Sequence, residues 1–172
     1  MSARVIMVAS GKGGTGKSTV SVLTGAALAA RGRRVLLVEL DSALRSVDYI
    51  AGVYGKTVYD VEDVLCGRCD AGKALVESPL YPGLFVISAP YSGGQVAAGA
   101  LQSFLQQAGG VFDDIVLDTA AGMGAPFEAA RAAASLALIC ITPDPVAQRD
   151  GRIVCDALLE GGCEQVRLVI NK

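Results

Sequence analysis

Short apolar runs recur along the chain, at residues 4–9, 35–38, 84–88, 115–117, 136–141 and 166–170. Their apolar residues are consecutive rather than alternating, as in parallel strands covered on both faces. Helix-forming stretches lie between them, predicted over 17–31, 71–77, 95–108, 125–135 and 146–160. Residues 43–65 read as short helices, with Gly52, Gly55 and Gly67 as breaks. Strands alternating with helices imply right-handed crossovers and a mainly parallel sheet, an α/β fold of three layers with helices on both faces.

The first strand runs directly into Gly11-Lys12-Gly13-Gly14-Thr15-Gly16-Lys17-Ser18-Thr19, which opens the first helix. This is the G-x-x-x-x-G-K-[ST] phosphate loop in the strand–turn–helix setting its physics requires. Glycines let backbone N–H groups close around a triphosphate, and the helix start presents free N–H groups and a positive dipole end. In this reading Gly11, Gly13, Gly14, Thr15 and Gly16 cradle ATP. Lys17 reaches the β- and γ-phosphates, Ser18 binds Mg²⁺, and Thr19 adds a contact to the α-phosphate.

Acids stand at the tips of two later strands. Glu39 and Asp41 are two apart at the end of the second, so alternation puts them on one face, able to orient magnesium-bound waters and an attacking water. The residues alone also allow capping or surface acids. Asp118 ends the run Ile115-Val116-Leu117, where a Walker B carboxylate would hold Mg²⁺ directly or through water. Residues 119–124, with Gly122 and Gly124, have the freedom of a switch segment that follows a γ-phosphate.

The run G-K-G-G-T-G-K-S-T resembles the deviant Walker A motif of the MinD/ParA ATPases. Residues 39–50 and 118–122 resemble the same family, on its MinD side more than its plasmid-partition side. The resemblance implies that Lys12 acts across an ATP-sandwiched homodimer; on its own it is also a lysine at a loop tip. It further implies that Asp41 positions the hydrolytic water, with Glu39, where the family usually has Asp, serving magnesium-bound waters. Asn171 would contact adenine, and residues 43–65 and 146–150 would meet a protein activator or cargo. The implied activity is a Mg²⁺-dependent ATPase switch in spatial regulation such as division-site placement. A nucleotide-gated scaffold with little hydrolysis, a partition-type ATPase and a metallochaperone-type ATPase are the alternatives. The family is typically longer, so a single domain over 1–172, shortened at its C-terminus and without the basic membrane-binding helix, is expected.

Composition agrees with a packed domain: of 172 residues 52% are hydrophobic and 19% charged. A net charge of −2 provides no global basic field for nucleic acid. There is no signal-peptide layout, and the five cysteines read as reduced thiols, so a cytoplasmic protein without a membrane anchor is expected. Cys66 and Cys69 form a lone C-x-x-C, which needs further ligands to hold a metal.

Overall fold

The computed structural model describes residues 3–42, 45–91 and 97–171. In chain order the elements are β1 (Arg4–Ala9), α1 (Lys17–Ala29), β2 (Val35–Glu39), α2 (Ser46–Ile50), α3 (Val61–Leu65), α4 (Ala71–Ala74), β3 (Val76–Glu77), β4 (Leu84–Ile87), α5 (Ala98–Ala108), β5 (Asp114–Asp118), α6 (Ala125–Arg131), β6 (Leu136–Ile141), α7 (Pro145–Glu160) and β7 (Gln165–Ile170). The strands form one sheet in the order β3-β4-β2-β5-β1-β6-β7. Every neighbouring pair is parallel except β3 with β4.

Strand alternation divides the apolar side chains between two cores. Val35 and Leu37 of β2 join Val8, Val116, Val22 of α1 and Val47 of α2 on one face. Leu36 and Val38 join Leu117, Phe104 of α5, Phe127 of α6 and Val154 of α7 on the other. The central strands are therefore wrapped on both sides, which accounts for their unbroken apolar sequences.

The ends of elements show where local chemistry decided. Helix α1 closes in a Schellman turn: Gly32 takes φ +80°, its N–H donates to Ala29 O at 2.8 Å and Arg33 N–H donates to Leu28 O at 3.4 Å. The helix read over 71–77 is shorter. Leu75 turns extended (ψ 126°), and Val76–Glu77 pair antiparallel with β4 as an edge strand. Ser78 then folds the chain back, donating to Ala51 O at 2.7 Å and accepting from Leu80 N and Tyr81 N. Helix α6 also stops early, at Arg131, because the chain must descend to β6, where Ser135 N–H donates to Val5 O. Helix α5 begins at Ala98; residues 95 and 96 of its expected range, and 43 and 44 of the expected partner segment, lie outside the described residues. Helix α7 starts one residue before its expected range, with Pro145 in the first turn and Asp144 as N-cap.

Candidate functional site

The C-terminal tips of β1, β2 and β5 converge on the start of α1, so the sheet's parallel order brings the sequence-distant acids to the phosphate loop. Gly14 (φ +78°) and Gly16 (φ +85°) adopt the left-handed backbone that turns the loop into α1. A Cβ at Gly16 would run into Asn171 Nδ2, which donates to Thr15 O at 2.9 Å. Asn171 is thus fastened to the underside of the loop, at the tip of β7. A cleft of about 260 Å³ opens above the loop, walled by residues 12–19 and by Ser10, Asp41, Ser46, Ile50 and Ala121.

Asp118 lies behind the cleft lining, beneath Lys17 and Ser18, and is fully buried. One carboxylate oxygen accepts from Lys17 Nζ at 3.1 Å and Ser21 Oγ at 2.8 Å; the other accepts from Ser18 Oγ at 2.7 Å. Lys17 Nζ also stands 3.8 Å from Asp41 Oδ2. The structure therefore brings together Lys17, Ser18, Asp41 and Asp118. Lys12 sits at the rim, 3.5 Å from Asp144 Oδ1.

Glu39 is placed differently from the expectation of a magnesium-water residue. It shares its face with Asp118, directly opposite in the β2–β5 pairing, and like Asp118 it is fully buried behind the cleft lining. Its extra methylene carries the carboxylate to two backbone amides: Val47 N–H donates to Oε1 at 3.1 Å and Ala89 N–H to Oε2 at 3.4 Å. Burial pushes its carboxyl up to about 8, with Asp118 and Asp48 adding to the rise and the two amides opposing it.

The donor set fits a triphosphate with magnesium. The hydroxyl of Thr15 and that of Ser10 are buried without a hydrogen-bond partner, and a Cβ at Gly13 or Gly14 would meet nothing within 4 Å, so the loop keeps unused polar groups and open space on its cleft side. Ser18 and Asp118 contribute hard oxygen donors side by side, as Mg²⁺ prefers. Three residues of the neighbourhood escaped sequence reasoning: Ser10, Ser21 and Asp144. Ser21 carried a signal, since it lies four residues after Lys17 and so on the same face of α1.

Of the expected partner segments, α2 lends Ser46 and Ile50 to the cleft wall and the rest lies outside it. Residues 46–65 form α2, α3 and the turns between them; Tyr49 and Tyr54 stack there at 4.2 Å, both exposed. Gln148, Arg149 and Asp150 lie in α7, where a Cβ at Gly11 would come within 2.6 Å of Asp150 Cβ. Cys66 is exposed and Cys69 partly buried. Among the described residues no group of three or more His, Cys, Asp or Glu could hold a metal ion, and no helix is long and apolar enough to cross a membrane.

Known proteins resemble this chain in sequence and fold. The septum site-determining protein MinD of Synechocystis is 37% identical over 98% of this chain, which spans 64% of that relative's length. The MinC:MinD cell division protein complex of Aquifex aeolicus contains a chain 32% identical, with a TM-score of 0.88, covering 98% of this chain and 68% of that one. Cobyrinic acid a,c-diamide synthase from Mycobacterium smegmatis, solved with bound ADP and magnesium, is 26% identical with a TM-score of 0.79, covering 96% of this chain and 72% of its own. The model of the CobQ/CobB/MinD/ParA nucleotide binding domain matches residues 6–169, and the chain, with its phosphate loop set over Asp118, belongs to that family.

Proposed function

We propose that the chain is the nucleotide-handling part of a Mg²⁺-dependent ATPase that dimerises on ATP and acts in spatial regulation such as division-site placement. The observation that carries the reading is the single carboxylate of Asp118 held beneath Lys17 and Ser18 at the foot of a glycine loop. The septum site-determining relatives support the cellular role. Because the chain spans about two thirds of their length, the activity of the whole protein is part of the proposal.

The residues divide the work. Loop amides and Lys17 take the phosphate chain, and Lys17 exchanges its contact with Asp118 for phosphate oxygen. Ser18 and Asp118 hold Mg²⁺, which when bound neutralises charge on the phosphate oxygens. Asp41, at the cleft wall, orients the water that attacks the terminal phosphorus; ATP and water leave as ADP and phosphate. Lys12 adds positive charge across the dimer, and Asn171 reads the base. Positioning and electrostatics supply the rate, so turnover is slow without a partner.

The test is Lys17→Ala against Asp41→Ala. Lys17→Ala is expected to lose ATP binding, while Asp41→Ala binds ATP, releases phosphate far more slowly and accumulates as dimer. Wild-type ATP affinity in Lys17→Ala would overturn the assignment. A nucleotide-gated scaffold is the second reading, favoured by the engagement of Glu39 with the Val47 and Ala89 amides; phosphate release with and without Mg²⁺ separates the two.

A further inference from the structure

Helix α2 has no side-chain cap of its own. Its N-cap residue, Arg45, takes φ 45°, the one left-handed backbone at a non-glycine among the described residues. The first-turn amide of Val47 is nonetheless satisfied, by Glu39 reaching over from β2 at 3.1 Å. The same carboxylate accepts from Ala89 N–H just past β4.

A second acid works beside it. Asp48 is 2% exposed. One of its oxygens accepts from Ser88 Oγ, and the other accepts from Arg45 Nη2 and Nε at 2.7 and 3.1 Å. Arg45 also donates to Thr57 Oγ1 at 3.1 Å and lies 3.6 Å over the Tyr91 ring. Two of these bonds, Val47 to Glu39 and Ser88 to Asp48, fasten residues 45–50 to the tips of β2 and β4, and the Arg45–Asp48 pair braces the segment internally. The segment carries Ser46 and Ile50 into the wall of the nucleotide cleft, opposite the phosphate loop.

We propose that Glu39 is a positioning residue, acting by reach and not by contact with magnesium: it spans from β2 to the amides of Val47 and Ala89 and holds the 45–50 segment in place as a wall of the nucleotide cleft. The proposal rests on the ATPase reading for its kinetic consequence and on the hydrogen bonds alone for its structural one. Aspartate keeps the carboxyl group but falls one methylene short of two amides fixed by separate elements. Glutamine keeps the length and one carbonyl oxygen for the shorter Val47 N–H bond, and sets its NH2 against the longer Ala89 contact. A magnesium-water role ranks the two replacements in the opposite order, because there an ionisable carboxyl is what matters.

The experiment compares wild type, Glu39→Asp and Glu39→Gln. In steady-state ATP hydrolysis, Glu39→Asp is expected to lose turnover by about tenfold or more with a smaller change in KM, and Glu39→Gln to retain more turnover than Glu39→Asp. In limited trypsin digestion without nucleotide, the bond after Arg45, whose side chain is 12% exposed, is expected to be cut fastest in Glu39→Asp. Thermal unfolding of each variant excludes global loss of fold as the cause. Glu39→Asp outperforming Glu39→Gln in turnover, or leaving the Arg45 bond as protected as in wild type, would overturn the proposal. Absence of hydrolysis in wild type would sink the ATPase reading and leave the digestion to decide the role of Glu39.

Discussion

Lys12 Nζ stands 3.5 Å from Asp144 Oδ1, so within a single copy the loop lysine is paired with the residue that caps α7. Both side chains are well exposed, which makes the contact worth a fraction of a kcal/mol and sensitive to salt. Such a pair is a tether that opens readily. For Lys12 to act on a second copy's nucleotide, it has to leave Asp144.

The consequence is a prediction of sign. Asp144→Ser keeps an oxygen for the Ala147 amide but removes the charge that holds Lys12. The ATP-loaded dimer is expected to tighten, by up to about fivefold for an exposed pair. Lys12→Ala should bind ATP as a monomer. Sedimentation velocity with ATP measures both; a dimer weakened by Asp144→Ser would show that the contact assists assembly.

Asp144 also has an unusual acidity. Its carboxyl is held down at about 2, first by the Thr142 hydroxyl, then by the Ala147 amide, with Lys12 contributing less. A carboxyl with a lower value folded than unfolded stabilises the fold above its ordinary value of 3.8, and that contribution is lost as the pH falls through about 2. A carbon-13 titration of the carboxyl should therefore place its midpoint well below the usual range. Thr142→Val should raise the midpoint more than Lys12→Ala does. The reverse ranking would make the lysine, not the hydroxyl, the main influence.

Ser21 offers a stability test that needs no nucleotide. Asp118 is fully buried and accepts from three side chains, of which Ser21 is the one outside the loop motif. Ser21→Ala leaves the carboxylate one donor short in a place water does not reach. The expected cost is about 1–3 kcal/mol, read as a lower urea midpoint with an unchanged slope. An unaffected midpoint would mean that Lys17 and Ser18 satisfy Asp118 between them.

What could be read from the chain follows from how far each contact reaches. The phosphate loop was legible because strand, glycines, lysine and helix start are contiguous, and Asp118 because a carboxylate after Ile115-Val116-Leu117 must emerge at a strand tip. Even the lysine's nearest acid was among those named. Glu39 was not legible in the same way. Its donors are the backbone amides of Val47 and Ala89, and amides carry no residue code. The β3 strand failed for a different reason: two residues are too few for any period, and the pairing with β4 is made by a turn at Ser78. Lys12 meeting Asp144 depends on α7 lying against the loop, a relation that only the assembled sheet creates.

The fit of α7 against the loop yields the last prediction. Gly151 sits inside α7, where alanine would ordinarily gain about 1 kcal/mol in helix propensity. Here a Cβ would lie 2.5 Å from Ile141 Cγ2 of β6, a buried strand that cannot retreat. Overpacking of this kind costs about 1–3 kcal/mol, so Gly151→Ala is expected to destabilise in spite of the propensity. The preceding residue, Asp150, is packed where a Cβ on Gly11 would be; pushing α7 outward therefore loosens the support of the phosphate loop, and ATP affinity should fall along with stability. Ile141→Ala removes the obstructing methyl, so in a double-mutant cycle the two changes together should cost less than the sum of the two alone. Strict additivity would mean that α7 accommodates the methyl without touching β6, and a stabilised Gly151→Ala would mean that the helix is not seated on the strand in solution.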